Sequence, residues 1–94
     1  MQLTVIPVRT SGWEIEPFAD MSAAFVFFDS PVRATVIDRL SWYVLELCDG
    51  DRSEIDIVSR FIEIAGTVTR ERAEVMVADR LRVLRRTGLL VGEE

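Results

Sequence analysis

At 94 residues, about half of them apolar, the chain can build one compact core and not two, so a single domain over residues 1–94 is expected. A formal charge of −5 with neither histidine nor lysine removes the commonest general base and the commonest zinc ligand together, and it repels nucleic-acid phosphate unless the arginines gather on one face. One cysteine excludes an internal disulfide, no apolar run approaches the roughly 18 residues of a spanning helix, and "MQLTVIPVR" carries no signal-peptide pattern, so the expected location is the cytoplasm.

The first 37 residues read as strands. "LTVIPV" can supply a short strand, although Pro7 opposes it. In "GWEIEPF", Trp13 and Ile15 alternate with Glu14 and Glu16, the period of a half-buried strand. "AAFVFF" (residues 23–28) is a continuous apolar run, which predicts a strand covered on both faces. Asp29, Ser30 and Pro31 supply a turn, and "VRATVID" follows as a third strand. There Val32, Ala34 and Val36 share one face, and Arg33, Thr35 and Ile37 the other.

From Asp38 the period lengthens to about 3.6. Asp38 suits the N-cap of a helix over residues 40–48, with Gly50 just past its end. Ser53 followed by Asp56 approximates a capping box for a helix through Ile64, stopped by Gly66. Thr69 caps the longest helix, residues 70–87, which Gly88 ends; "LLV" then packs back on the core or forms a short strand. The expected fold is α+β: a three-stranded antiparallel sheet over about 13–37 followed by a three-helix bundle over about 39–87. It is a winged helix-turn-helix-like order with the sheet placed first.

Reactive chemistry finds no foothold. Cys48 falls near a helix C-terminus beside Asp49 and Asp51, which disfavours a thiolate and fits a small buried side chain. Asp49, Asp51, Glu54 and Asp56 lack the glycine and bidentate glutamate offsets of a calcium loop and suit turn and capping roles. Arg72, Arg80, Arg82, Arg85 and Arg86 raise a winged-helix DNA-binding or regulatory alternative, but they spread round more than half of the last helix among Glu71, Glu74 and Asp79. Trp42, Tyr43, Phe25, Phe27, Phe28 and Phe61 read as core, the facing of Phe28 and Tyr43 being open. No base, nucleophile or metal site stands out, and no enzyme or cofactor is expected.

What remains is a surface. In a three-stranded meander the third strand is an edge, and "VRATVI" carries neither proline nor lysine to blunt it. On the last helix, Ala73, Val77, Leu81 and Leu84 form the core stripe. A neighbouring strip holds Arg72, Met76, Asp79, Arg80 and Val83. Met76 and Val83 either widen the core face or floor a groove in which an extended peptide adds to the sheet; periodicity leaves both readings open.

One resemblance bears on this. "LELCDG" (residues 45–50), Ser53 at the cap, "DIV" (56–58) and the closing "LRVLRRTGLL" together resemble the PqqD-like recognition elements of pathways that make ribosomally synthesised, post-translationally modified peptides. The similarity spans about residues 13–91, with Ile37-Asp38 in place of the family's leucine-asparagine pair and Trp42-Tyr43 where small residues are usual. It implies a non-catalytic peptide chaperone of natural product biosynthesis. Such a protein binds the leader of a precursor peptide as an added strand and presents it to a modifying enzyme, often a radical S-adenosylmethionine (SAM) maturase. The backbone of Arg33, Ala34, Thr35, Val36 and Ile37 would pair with the leader in alternation, Met76 and Val83 would form the floor, and Arg33, Arg72 and Arg80 would face acidic leader side chains, with Asp79 in the same strip. The chain lacks the cysteines of an iron–sulfur cluster, so that chemistry falls to the partner. A free edge also permits a homodimer.

Overall fold

A computed structural model describes residues 6–92. Strands β1 (Trp13–Pro17), β2 (Ala23–Asp29) and β3 (Val32–Asp38) form one antiparallel sheet in chain order, followed by helices α1 (Arg39–Leu47), α2 (Glu54–Ala65) and α3 (Arg70–Thr87). This is the expected α+β, winged helix-turn-helix-like arrangement with its sheet first.

The helix boundaries follow the capping chemistry. The Asp38 carboxylate accepts the Ser41 N–H, Ser53 and Asp56 form a reciprocal capping box, and the Thr69 hydroxyl accepts the Arg72 N–H. Helix α1 begins and ends one residue earlier than its pattern predicts, with Cys48 as its C-cap. Gly88 ends α3 in the left-handed region, at φ 94°, where a side chain is strained; an added Cβ would also lie 3.1 Å from the Arg33 guanidinium.

The core sits between one face of the sheet and the three helices. Ala24, Val26 and Ile37 meet Val44, Leu45 and Leu47 of α1, Ile57, Val58 and Phe61 of α2, and the fully buried stripe Ala73, Val77, Leu81 and Leu84 of α3. "LLV" packs back on the core and forms no strand beyond one bridge. Leu89 and Leu90 enter the core, and Leu90 makes a single antiparallel bridge with Arg9. The Thr10 N–H donates to the Leu89 carbonyl at 3.0 Å, and the Val91 N–H to the Val8 carbonyl at 2.8 Å. The expected strand in "LTVIPV" does not appear at residues 6–8, and residues 3–5 lie outside the described residues.

One expectation fails. Strand β2 is covered on one face only: Phe25 and Phe27 are 41% and 45% exposed on the side away from the helices. Three helices suffice to cover one face of so small a sheet, and no second layer exists among the described residues to cover the other.

Candidate functional site

The hydrogen-bonding phase of the sheet determines which backbone groups are left over. The Phe18 N–H donates to the Ala23 carbonyl and the Asp29 N–H to the Gly12 carbonyl, each at 2.9 Å. A strand residue turns its N–H and C=O to the same side, and the side alternates along the chain. Ala23, Phe25, Phe27 and Asp29 therefore face β1, while Ala24, Val26 and Phe28 face β3. Their partners there are Ile37, Thr35 and Arg33. Val32, Ala34 and Val36 consequently direct N–H and C=O away from the sheet. Among the described residues no strand takes them up, because β3 is an edge and residues 8–10 run beside residues 89–91 instead.

Beyond that edge runs α3, and the two elements are tied at both ends. The Arg33 guanidinium donates to the Thr87 carbonyl at 2.7 Å and stacks 3.7 Å above the centroid of the Phe28 ring. At the other end Arg80 reaches the Asp38 carboxylate at 3.3 Å. Because Arg33 and Asp38 lie at opposite ends of β3, and Thr87 and Arg80 in the reverse order on α3, the helix runs antiparallel beside the strand. Two arginines thus tie strand and helix together at either end of this edge.

Asp38 has two jobs. One oxygen caps α1 by accepting the Ser41 N–H at 2.8 Å, and the other holds Arg80. Partial burial pushes its pKa up, but the Ser41 hydrogen bonds and the nearby Arg80 outweigh that and bring the carboxyl below its ordinary value.

The sequence-derived residues divide accordingly. Ala34 and Val36 present free backbone; Thr35 and Ile37 are committed to β2, with Ile37 in the core. Val83 lies between Arg80 and Thr87 along α3 and is 37% exposed. Met76, Asp79 and Arg80 line a shallow depression of about 470 Å³ with Leu40 and Arg82, past the end of β3. Met76 also packs against the core. Arg72 is exposed but stands two turns beyond Arg80, about 12 Å along the axis at 1.5 Å per residue, and is not beside the strand.

Arg33 and Arg80 are both engaged within the chain, Arg33 with the Thr87 carbonyl and Arg80 with Asp38 and Asp79. The facing of Phe28 and Tyr43, which periodicity leaves open, is given by their neighbours. Phe28 lies on the inner face under Arg33, and Tyr43 turns toward Phe61 of α2, their rings 6.5 Å apart. Sequence reasoning also missed Val32, which is 88% exposed, and Thr87 and Leu40. Val32 was within reach, since alternation already grouped it with Ala34 and Val36; the Thr87 carbonyl had no signal, because any residue carries one.

Elsewhere the chemistry is quiet. Burial pushes the Cys48 thiol up to about 11, and its Sγ donates to the Val44 carbonyl at 3.2 Å. Among the described residues no group of histidine, cysteine or carboxylate side chains could hold a metal ion, and no helix is long and apolar enough to cross a membrane. Asp79 pairs with both Arg80 and Arg82, which breaks up the basic character of α3.

Neither a family profile nor a curated protein sequence matches the chain. Among solved structures it is similar to TbiB1, determined in complex with the TbiA(beta) leader peptide. The TM-score is 0.72 at 17% identity over 93% of this chain and 98% of that one. Likeness at that identity is a likeness of fold: the same sheet-first, winged helix-turn-helix-like domain, nearly end to end.

Proposed function

We propose that this protein binds the leader region of a ribosomally synthesised precursor peptide by adding it as a fourth strand to β3, and presents it to a modifying enzyme. The observation that carries the reading is the row of backbone groups at Val32, Ala34 and Val36, unpartnered among the described residues, along an edge that α3 flanks through Arg33 and Arg80. A fourth strand about 4.8 Å outside β3 meets three N–H and three C=O groups. Each net hydrogen bond contributes about 0.5–1.5 kcal/mol, so the backbone alone supports measurable affinity without specifying sequence. Specificity falls to alternate side chains: those turned inward meet Val83 and, past the strand end, the depression at Leu40, Met76 and Asp79. Arg72 lies further along the same helix strip as a cation for an acidic residue, while Arg33 and Arg80 anchor α3 beside β3.

The fold shared with a protein solved with a leader peptide supports this reading, as does the sequence resemblance. The protein acts as a cytoplasmic binding partner, without cofactor; the covalent chemistry is supplied by the enzyme it serves, a radical SAM maturase in this reading.

The test is selection from a displayed library of random peptides, followed by NMR titration of isotope-labelled protein with the enriched sequences. The expected result is amide shifts at Val32, Ala34 and Val36 and along α3 from Arg80 to Thr87. A library that enriches nothing, or shifts that avoid β3, would refute the proposal.

A further inference from the structure

The sheet has a second face, and the peptide edge does not use it. Opposite the helices, Phe18, Phe25 and Phe27 form an aromatic row with ring centroids 4.9 and 5.8 Å apart. In the register Phe25 stands opposite Val36 and Phe27 opposite Ala34, so the apolar surface continues to the free edge, where Val36 is 52% exposed. Its other long border is acidic. Glu16 and Glu14 on β1 stand opposite the same two phenylalanines, and Asp29 lies at the hairpin end. All three carboxylates are exposed, and among the described residues none has an ion-pair partner.

Strand spacing and rise give this face a footprint of about 330 Å², of which the apolar strands β2 and β3 make up roughly two thirds. Two copies laid face to face would bring two unpaired acidic borders toward each other. A second copy is therefore a poor occupant, and a cationic one complements what is present.

We infer that the outer face is a second docking surface, for a protein partner whose contact patch is apolar at its centre and bordered by arginine or lysine. Resting on the function proposed above, the natural occupant is the enzyme that modifies the peptide held on β3. The two surfaces meet at Val32, Ala34 and Val36. The side chains of these residues belong to the outer face and their backbones to the peptide edge, so both surfaces are filled together without competition.

The probe is a displayed library of amphipathic helices whose leucine stripe is bordered by arginines, with a twin library bordered by glutamates. Binders are expected from the arginine library alone. They should weaken as salt screens the acidic border, and by about tenfold or more on Phe25→Thr/Phe27→Thr. These half-exposed, strand-favouring positions should leave the fold intact, with the melting temperature as control. Glu14→Arg/Glu16→Arg, at exposed sites, must weaken the same binders independently. Val83→Glu, on α3 and away from this face, must leave them unchanged while weakening peptide binding at β3. No binder, equal enrichment from the glutamate library, or binders indifferent to both double substitutions overturns the inference. Absence of peptide binding at β3 of the unsubstituted protein, with outer-face binding intact, refutes the proposed function alone; the reverse refutes only this inference.

Discussion

Proline substitution at adjacent positions of β3 separates an outward N–H from an inward one. Thr35 is opposite Val26, and its N–H belongs to the β2–β3 ladder. Thr35→Pro removes that donor and orphans the carbonyl of Val26, a residue with no exposure, beside a proline ring that the ladder cannot accommodate. A buried unsatisfied carbonyl costs about 1–3 kcal/mol before any ring clash. Against a total stability on the order of 5 kcal/mol that is severe, and at about 4–8 °C per kcal/mol the melting temperature should fall by roughly 10 °C or more. Ala34→Pro removes an N–H that points to solvent, at an edge where proline is tolerated. Its cost should stay within about 1 kcal/mol, offset in part by the stiffer unfolded chain. Thermal unfolding followed by circular dichroism measures both. For peptide binding the order reverses in importance: Ala34→Pro, still folded, leaves a ligand carbonyl unpaired, and the same 1–3 kcal/mol becomes a loss of about 5- to 150-fold in affinity. If Ala34→Pro destabilises as much as Thr35→Pro, the assignment of outward and inward backbone groups is wrong, and the site derived from it goes too.

Asp38→Ala should cost about 1 kcal/mol for the lost N-cap, with a smaller part for the partly exposed Arg80 pair, and Asp38→Ser should recover most of it, as read from denaturant midpoints. Asp38→Asn keeps a cap and removes the charge. Because the folded carboxyl titrates below its ordinary value of 3.8, the wild-type advantage over this variant should be constant above about pH 5 and shrink as pH falls below 3.8 through the folded pKa; an advantage that grows on acidification would contradict the linkage. Val83→Glu, at a partly exposed position between Arg80 and Thr87, should change stability by no more than about 0.5 kcal/mol yet weaken peptides bound at β3 about tenfold by calorimetric titration. Cys48, buried with its thiol pushed up to about 11, should react with a disulfide reagent at neutral pH only at the rate of unfolding; prompt labelling of native protein would show the site to be open.

Local chemistry made most of the architecture legible. Asp38, Ser53 and Thr69 cap helices whose ends lie within one residue of the capping pattern, and the change from period two to period 3.6 at Asp38 marks the strand-to-helix junction. The core stripe of α3 was readable because burial on a helix repeats at a fixed angle. The exposure of Phe25 and Phe27 was not: a continuous apolar run looks the same whether a second layer covers it or a partner does. Nor were the two arginine ties. Arg33 and Thr87 are 54 positions apart, and the pairing depends on α3 lying antiparallel to β3 at one particular separation.

The chain by itself determined that there is an edge. Three strands in a meander leave the third without a neighbour, and nothing in "VRATVI" blunts it. Only the tertiary structure decided which backbone groups that edge offers, and that α3 runs antiparallel beside them. Hydrogen-bond phase is inherited strand to strand from contacts at Gly12 and Phe18, and the placing of α3 is marked by two arginines that reach across to it. Both are relations between distant residues, set when the sheet and α3 pack against the same core.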